Sequence, residues 1–284
     1  MSIERIAVLG AGIMGRGIAY AAAVTGFETT LYDVAPAALE KAGAEIGGLI
    51  EKGVAAGKLA PEAAAAARVR RTGDLDEAAR DADLVIEAAP EDIRMKCELF
   101  RRLDAMCGPT AILASNTSSL SVTEMAGATK RPGLVVGMHF FNPVHRMKLV
   151  EIVRGLETAP ETLEATSVVA MRMGKEPVVV RESPGFVTAR INALIGNEAF
   201  RMLEENLASA RDIDKALKLG LNHPMGPFEL VDLVGLDTRL SILTFLHQTL
   251  GERFRPSPLL VQYVKAGRLG RKNGRGVYDY GEGR

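Results

Sequence analysis

The chain has 284 residues, and its 35 basic and 35 acidic side chains cancel to a formal charge of zero. Apolar residues make up 47% of the sequence, which is too many for a disordered chain and enough for a large buried core. The balanced charge argues against nucleic acid as the main partner, because binding to a phosphate backbone depends on an excess of Lys and Arg. A zero net charge does not exclude a basic pocket that binds a small anion.

The first half of the chain alternates short apolar runs with helical stretches. Strands are predicted at residues 6–9, 28–32, 84–86, 111–113, 134–136, 147–153 and 177–180. Helices are predicted at residues 13–25, 36–57, 61–67, 91–106, in the segment after Ser121, and at residues 162–173. Strands that alternate with helices favour right-handed crossovers and a mostly parallel sheet covered on both faces.

The strand signal stops after Ser183-Pro184-Gly185. Apolar residues then recur at helical spacing from Ile191 to Leu203, and further helices are predicted at residues 212–219, 227–250 and 257–266. We therefore predict an α/β domain over residues 1–183, followed by an all-α domain over residues 184–284.

A glycine-rich loop connects the first strand to the first helix, with the sequence GAGIMG at residues 10–15. Gly10 permits the tight turn, Gly12 lets a pyrophosphate approach the main chain, and Gly15 lets the helix lie close to the sheet. The helix begins at Ile13 and Met14, and its N-terminus offers N–H groups and a partial positive charge to phosphates. The loop therefore indicates a dinucleotide site in a Rossmann-like domain.

Asp33 ends the second strand, where an acidic residue hydrogen-bonds the ribose hydroxyls of the adenosine and repels a 2′-phosphate. This position predicts NAD as the cofactor in preference to NADP. A flavin site and a glycine-rich turn in another kind of α/β protein remain the alternatives.

A hydroxyl-rich tract, SNTSS at residues 115–119, follows the predicted strand at 111–113. Ligands of open α/β sheets lie outside the carboxyl ends of the strands, so this tract could bind a substrate oxygen or the nicotinamide ribose. Ser and Thr are also favoured at the start of a helix, and the two interpretations stay open here.

His139 ends the next strand. If it pairs with Glu151 on the following strand, the hairpin loop between the two strands is centred on His145. A carboxylate that holds one imidazole nitrogen fixes the tautomer and leaves the other nitrogen to take a proton. The alternative is a histidine satisfied within the core. His145 and His223 are predicted to lie in loops and His247 in a helix.

The cysteines, the first residues and the longest charge-free stretch bear on the cellular location of the protein. Cys97 and Cys107 form neither a disulfide framework nor a metal-ligand spacing, and the four histidines offer no metal cluster. The first residues carry no apolar signal segment, and the longest charge-free stretch, 105–123, is too polar to span a bilayer. We expect a soluble cytoplasmic protein with no metal and no membrane contact.

Taken together, these segments resemble the short, single-function L-3-hydroxyacyl-CoA dehydrogenases over nearly the whole chain. The glycine loop is the least specific of them, whereas HFFNP at residues 139–143 and PMGPFEL at residues 224–230 are far more specific. The other matching segments are IEAAPE at 86–91, SNTSSL at 115–120, KLVEI at 148–152, SPGF at 183–186 and GRKNGRGVY at 270–278.

The resemblance implies reversible, NAD-dependent oxidation of a short-chain L-3-hydroxyacyl-CoA. It implies that His139 is the catalytic histidine, that Glu151 pairs with it, and that Ser118 binds the substrate. It places the nicotinamide side of the cofactor site at Glu91, Lys96, Ser118, Asn142 and Lys272.

One position departs from the family pattern. The family commonly has Asn four residues after the Pro-Gly pair, where it helps to hold the substrate carbonyl, whereas this chain has Ala189, which has no side-chain donor. We expect Thr188 or Asn192 to substitute, since Asn192 lies one helical turn beyond Ala189.

The coenzyme A end of such a substrate carries phosphates, and Lys52 and Lys58 are the candidates to bind them. The alternative is that both are solvated surface lysines. The resemblance also implies a homodimer formed through the all-α domain. The alternative is that the helices of this domain bury their apolar surfaces against one another in an ordinary core and form no dimer. Two rival functions remain: a dehydrogenase of a free hydroxy or sugar acid such as gulonate, and an NAD(H)-binding protein without turnover.

Overall fold

The computed structural model describes residues 2–281. The chain divides into two compact units, the first ending at Ser183 and the second beginning at Pro184. None of the helices in the described chain combines the length and apolar character that crossing a membrane requires.

The first unit is built on a sheet of eight strands. Its strands are β1 (Arg5–Leu9), β2 (Glu28–Tyr32), β3 (Val69–Thr72), β4 (Leu84–Glu87), β5 (Ile112–Ser115), β6 (Val135–Phe140), β7 (Leu149–Arg154) and β8 (Glu176–Arg181). Their order is β3-β2-β1-β4-β5-β6-β7-β8, and all neighbours run parallel except β6 and β7. The mostly parallel, Rossmann-like sheet predicted from the sequence is confirmed.

Seven α-helices connect these strands. They are α1 (Ile13–Ala23), α2 (Pro36–Ala55), α3 (Pro61–Ala66), α4 (Leu75–Ala79), α5 (Ile93–Met106), α6 (Val122–Gly127) and α7 (Pro160–Arg172). The central strands β4 and β5 are buried along their whole length. Continuous burial explains their unbroken apolar runs, because helices cover both faces of a parallel sheet.

The register of the central strands brings their carboxyl ends to one edge. Leu9 lies between Tyr32 and Glu87, and Glu87 lies next to Ser115 on the other side. In open α/β sheets this edge is where ligands bind.

The antiparallel pair of β6 and β7 places His139 directly opposite Glu151, as the sequence predicts. The loop between these strands contains His145 in a turn. Residues opposite each other on antiparallel strands point to the same face, so the fold itself brings this imidazole and this carboxylate together.

The second unit consists of helices α8 (Thr188–Glu204), α9 (Ala210–Gly220), α10 (Pro227–Val234), α11 (Leu236–Leu250) and α12 (Pro258–Lys265). Apart from isolated bridges such as that between Gly270 and Arg275, its described residues form no strand. Its core contains Phe200, Phe228 and Phe254, and the rings of Phe200 and Phe228 pack edge to face with centroids 5.2 Å apart. The predicted all-α unit is confirmed.

The prediction of one continuous helix at residues 227–250 is wrong. Gly235, with φ of 106°, separates α10 from α11. This φ favours glycine, and a Cβ at the position would lie 2.9 Å from Oδ1 of Asp237. A single glycine within an apolar helical pattern gave too weak a signal for this break.

Candidate active site

The glycine loop has the geometry that a dinucleotide pyrophosphate requires. A Cβ at Gly15 would lie 1.7 Å from the carbonyl oxygen of Gly10, so only glycine lets α1 start this close to the loop. A Cβ at Gly12 would meet nothing within 4 Å, which means that Gly12 borders open space. Gly12 caps α1 without a side-chain hydrogen bond, so the first N–H groups of the helix are available to phosphate oxygens.

A cavity of about 720 Å³ adjoins this loop. Asp33 fixes its rim, since one carboxylate oxygen accepts the N–H of Ala11 at 2.7 Å and the other accepts the N–H of Ala35 at 2.9 Å. The lining is otherwise mostly apolar and includes Gly10, Gly12, Ile13, Met14, Val34, Pro90, Met95 and Leu99. An apolar slot ending in a carboxylate fits an adenosine whose ribose hydroxyls bind that carboxylate.

A buried ion pair lies at the carboxyl end of β4. The ammonium of Lys96 binds both carboxylate oxygens of Glu87, at 2.6 and 2.8 Å, and both side chains are fully buried. Glu87 also accepts the hydroxyl of Ser115 and, at 2.6 Å, the N–H of Ala89. These donors satisfy the carboxylate, as burial of a charge requires.

Glu91 links this ion pair to the hydroxyl-rich tract. It lies 3.3 Å from the ammonium of Lys96, and it accepts the hydroxyl of Thr117 at 2.6 Å and the N–H of Ser118 at 3.1 Å. The residue that caps α6 is Ser121, whose hydroxyl accepts the N–H of Glu124. Glu91 therefore holds the second half of the tract at 115–119, and no residue of the tract caps α6.

His139 and Glu151 form a hydrogen bond of 2.7 Å between Nδ1 and Oε2, and both residues are buried. When the ring is neutral, Nδ1–H donates to the carboxylate and Nε2 carries the lone pair. The ring of Phe141 packs against the imidazole with centroids 4.4 Å apart. Asn116 accepts the N–H of Phe140 at 2.8 Å, which ties the tract after β5 to the end of β6.

A second cavity, of about 520 Å³, lies between α1, α2 and the loop after β6. Lys52, Asn142 and His145 line it, together with the ion pair between Arg16 and Glu45. Lys58 lies in the turn beyond α2 and does not line the cavity. Burial lowers the pKa of His145, and the charges of Arg146, Lys175 and Lys58 lower it further. The surroundings of His145 are therefore cationic.

Four positions from the sequence analysis lie in the second unit, and one of them, Thr188, is the half-buried first residue of α8. Lys272 binds the carboxylate of Asp237, with 2.6 Å to Oδ2. Ala189 and Asn192 are half-buried on α8. In the described chain, no group of three or more His, Cys, Asp or Glu side chains is placed to hold a metal ion.

Glu87 and Asn116 were not predicted from the sequence to be residues of the site. Glu87 sits at the end of a buried apolar strand, and a carboxylate there requires a cationic partner; this signal was present in the sequence. Asn116 gave no comparable signal, because its acceptor role depends on a strand that lies 24 residues further along the chain.

A glycine loop at a helix N-terminus, with an acidic residue ending the second strand, is typical of a dinucleotide-binding domain. Residues 5–183 match the family model described as 3-hydroxyacyl-CoA dehydrogenase, NAD binding domain. Residues 185–280 match the model of the C-terminal domain of the same enzymes. The chain belongs to the 3-hydroxyacyl-CoA dehydrogenase family, and it is an oxidoreductase that uses NAD.

Relatives align over nearly the full chain. A probable 3-hydroxybutyryl-CoA dehydrogenase of Bacillus subtilis is 48% identical and covers 99% of both chains. A 3-hydroxybutyryl-CoA dehydrogenase of Bradyrhizobium diazoefficiens is 45% identical and covers 98% of this chain and 96% of its own. The crystal structure of (S)-3-hydroxybutyryl-CoA dehydrogenase from Ralstonia eutropha has a TM-score of 0.95 and 42% identity, covering 99% of this chain and 100% of that one.

Proposed function

We propose that the protein oxidises L-3-hydroxybutyryl-CoA and similar short-chain substrates reversibly to 3-oxoacyl-CoA. The observation that carries this proposal is the hydrogen bond of 2.7 Å between His139 and Glu151. This pair lies on the sheet that carries the glycine loop, and general acid–base chemistry needs a base held in one tautomer. The names of the relatives support the choice of a four-carbon acyl group.

Three residues carry the chemistry in this proposal. Nε2 of His139 takes the proton of the C3 hydroxyl during oxidation and returns it during reduction. Glu151 orients the ring and stabilises the imidazolium that forms. Ser118 donates a hydrogen bond to the C3 oxygen. The glycine loop would hold NAD, which would supply the acceptor for the hydride that leaves C3.

The cofactor is held by two groups of residues. The glycine loop binds the pyrophosphate, and Asp33 binds the adenosine ribose and disfavours NADP. On the nicotinamide side we place Glu91, Ser118, Asn142 and Lys272. Lys96 acts there through Glu91, because its own ammonium is fully buried.

We also assign roles to the domains. Residues 1–183 bind NAD, and residues 184–284 bind substrate and form a homodimer, with Asn192 in the role that the family gives to Asn at position 189. The expected location is the cytoplasm.

Consumption of NADH with acetoacetyl-CoA and with free acetoacetate tests the proposed function. We expect turnover of the thioester and little turnover of the free acid, because the coenzyme A portion supplies most of the binding surface. Turnover of free hydroxy or sugar acids in preference to the thioester would favour the rival dehydrogenase. NADH binding without turnover of any 3-oxo compound would favour a protein that has lost catalysis.

Lys52 is the proposed contact for the phosphates of coenzyme A, because it lines the cavity near His145. In Lys52→Ala we expect the KM for acetoacetyl-CoA to rise about tenfold, which corresponds to about 1.4 kcal/mol of lost binding free energy. The KM for NADH should not change.

Lys41→Ala is the matched control, since Lys41 is an exposed lysine on the same helix that does not line the cavity. Equal effects of the two substitutions on the KM for acetoacetyl-CoA would remove Lys52 from the substrate site. Lys58→Ala tests the second predicted lysine in the same assay.

A further inference from the structure

The helical unit buries an arginine side chain that lacks a hydrogen-bond partner at one nitrogen within the part of the chain that the structure describes. Arg239, in the first turn of α11, is only 1% exposed. Within residues 2–281 its Nε has no hydrogen-bond partner, and none of the ion pairs formed in the second unit includes Arg239. Buried charges in proteins are normally paired, so this arginine needs an explanation.

The other buried polar side chains of this unit are all hydrogen-bonded. Asp214 accepts the N–H of Phe228 at 2.8 Å, and Asp232 accepts the N–H of Val277 at 2.8 Å. The remaining two, Asn197 and Ser257, are bonded to each other and to neighbouring segments. The buried carboxylates of the unit are therefore committed to other donors, and neither neutralises Arg239.

The charge of Arg239 persists at neutral pH. Burial lowers the pKa of its guanidinium to about 10, which leaves the group protonated at pH 7. An ion held in a low-dielectric interior without a counter-charge destabilises the fold. A negatively charged group next to Arg239 would remove this cost.

Helix α8 carries a face of small residues on the side where Arg239 lies. Ala189, Ala193 and Gly196 follow one another at spacings of four and three residues, which places them on one face of the helix. A Cβ built on Gly196 would lie 3.1 Å from Cγ2 of Val231 and 3.7 Å from Nε of Arg239, so the backbone of α8 packs closely against the unpaired donor. A larger side chain at position 196 would therefore crowd the unpaired donor.

We propose that Arg239 and the small-residue face of α8 form a binding site for a carboxylate or another compact anion. The planar guanidinium presents parallel donors that match the two oxygens of a carboxylate. The anion has two sources: a small free carboxylate, or the terminal carboxylate of a dicarboxylic acyl-CoA. The second source rests on the proposed function.

Thermal unfolding of the full chain with sodium acetate tests the site. Ionic strength is kept constant with the salt of a bulky sulfonate. The unfolding midpoint of the native protein should rise by about 5–10 °C when acetate reaches about 100 times its Kd. Arg239→Met should lose this dependence and, without acetate, should unfold at the same temperature or a higher one, because an unpaired buried cation is removed.

Arg211→Met is the matched control, because Arg211 is an exposed arginine on α9 in the same unit. It should keep the response of the native protein to acetate. An equal response in Arg239→Met and the native protein would overturn acetate binding at this arginine.

Kinetics separates the two sources of the anion. If the substrate supplies it, Arg239→Met should lower the ratio of kcat/KM for 3-oxoadipyl-CoA to that for acetoacetyl-CoA by at least about tenfold. An unchanged ratio together with a loss of the acetate response assigns the site to a free anion. An unchanged ratio with no acetate response in the native protein overturns the inference. A native protein inactive on acetoacetyl-CoA would instead count against the proposed function.

Discussion

Replacement of His139 by Gln should lower kcat by about 10²–10⁴-fold, the usual contribution of a positioned acid–base group. Gln is neutral and polar, so the substitution removes the imidazole that binds Glu151 without adding a charge. It has no group that takes up a proton at neutral pH. Turnover of acetoacetyl-CoA measures the loss, and NADH binding, followed by fluorescence, should stay close to that of the native protein.

His247→Gln serves as the control. His247 lies on α11, its Nε2 is hydrogen-bonded to Oε1 of Glu252 at 3.0 Å, and no role in the reaction is proposed for it. Its kcat should match that of the native protein. Near-native turnover in His139→Gln would remove His139 from the chemistry, and an equal loss in both variants would indicate a general effect of losing an imidazole.

Much of the site was predictable because it depends on local rules. The glycine loop needs only a strand before it, a helix after it and glycines at fixed spacing, and all of these can be read from the sequence. The opposition of His139 and Glu151 follows from the symmetric geometry of an antiparallel hairpin once its loop is centred. Both features depend on residues close together in the chain.

The parts that escaped prediction depend on weak or distant signals. Strand β3 exposes Arg70 and Arg71, so it lacks the apolar run that marked the central strands. Helix α4 has only five residues, too few for a periodic pattern. Arg239 offered no signal within an apolar helix, because whether a charge finds a partner depends on the packing of α8, α10 and α11 together.

The pair of Glu87 and Lys96 connects stability with the site. Lys96 is nine residues from Glu87 in sequence, and it also lies 3.3 Å from Glu91, which holds Ser118. One buried ammonium therefore supports the end of β4 and the tract in which we place a substrate contact. A change at Lys96 should affect folding first and the position of Ser118 second.

Replacement of Lys96 by Met should lower the free energy of unfolding by about 3–5 kcal/mol, the usual effect of breaking a buried ion pair by removing one partner. Met fills the space of the aliphatic stem, so the loss comes from leaving the carboxylate of Glu87 buried without its cation. Urea denaturation measures the change. Lys148→Met is the control, because it breaks an exposed pair with Glu176 that contributes less than about 1 kcal/mol.

The double variant Glu87→Gln with Lys96→Met separates charge from packing. If an unpaired charge causes the loss, removing the carboxylate as well should recover much of the stability, since the neutral amide can still accept the N–H of Ala89. If the double variant is as unstable as Lys96→Met alone, packing and not charge accounts for the loss. A Lys96→Met variant within 1 kcal/mol of the native protein would contradict the structural role assigned to this pair.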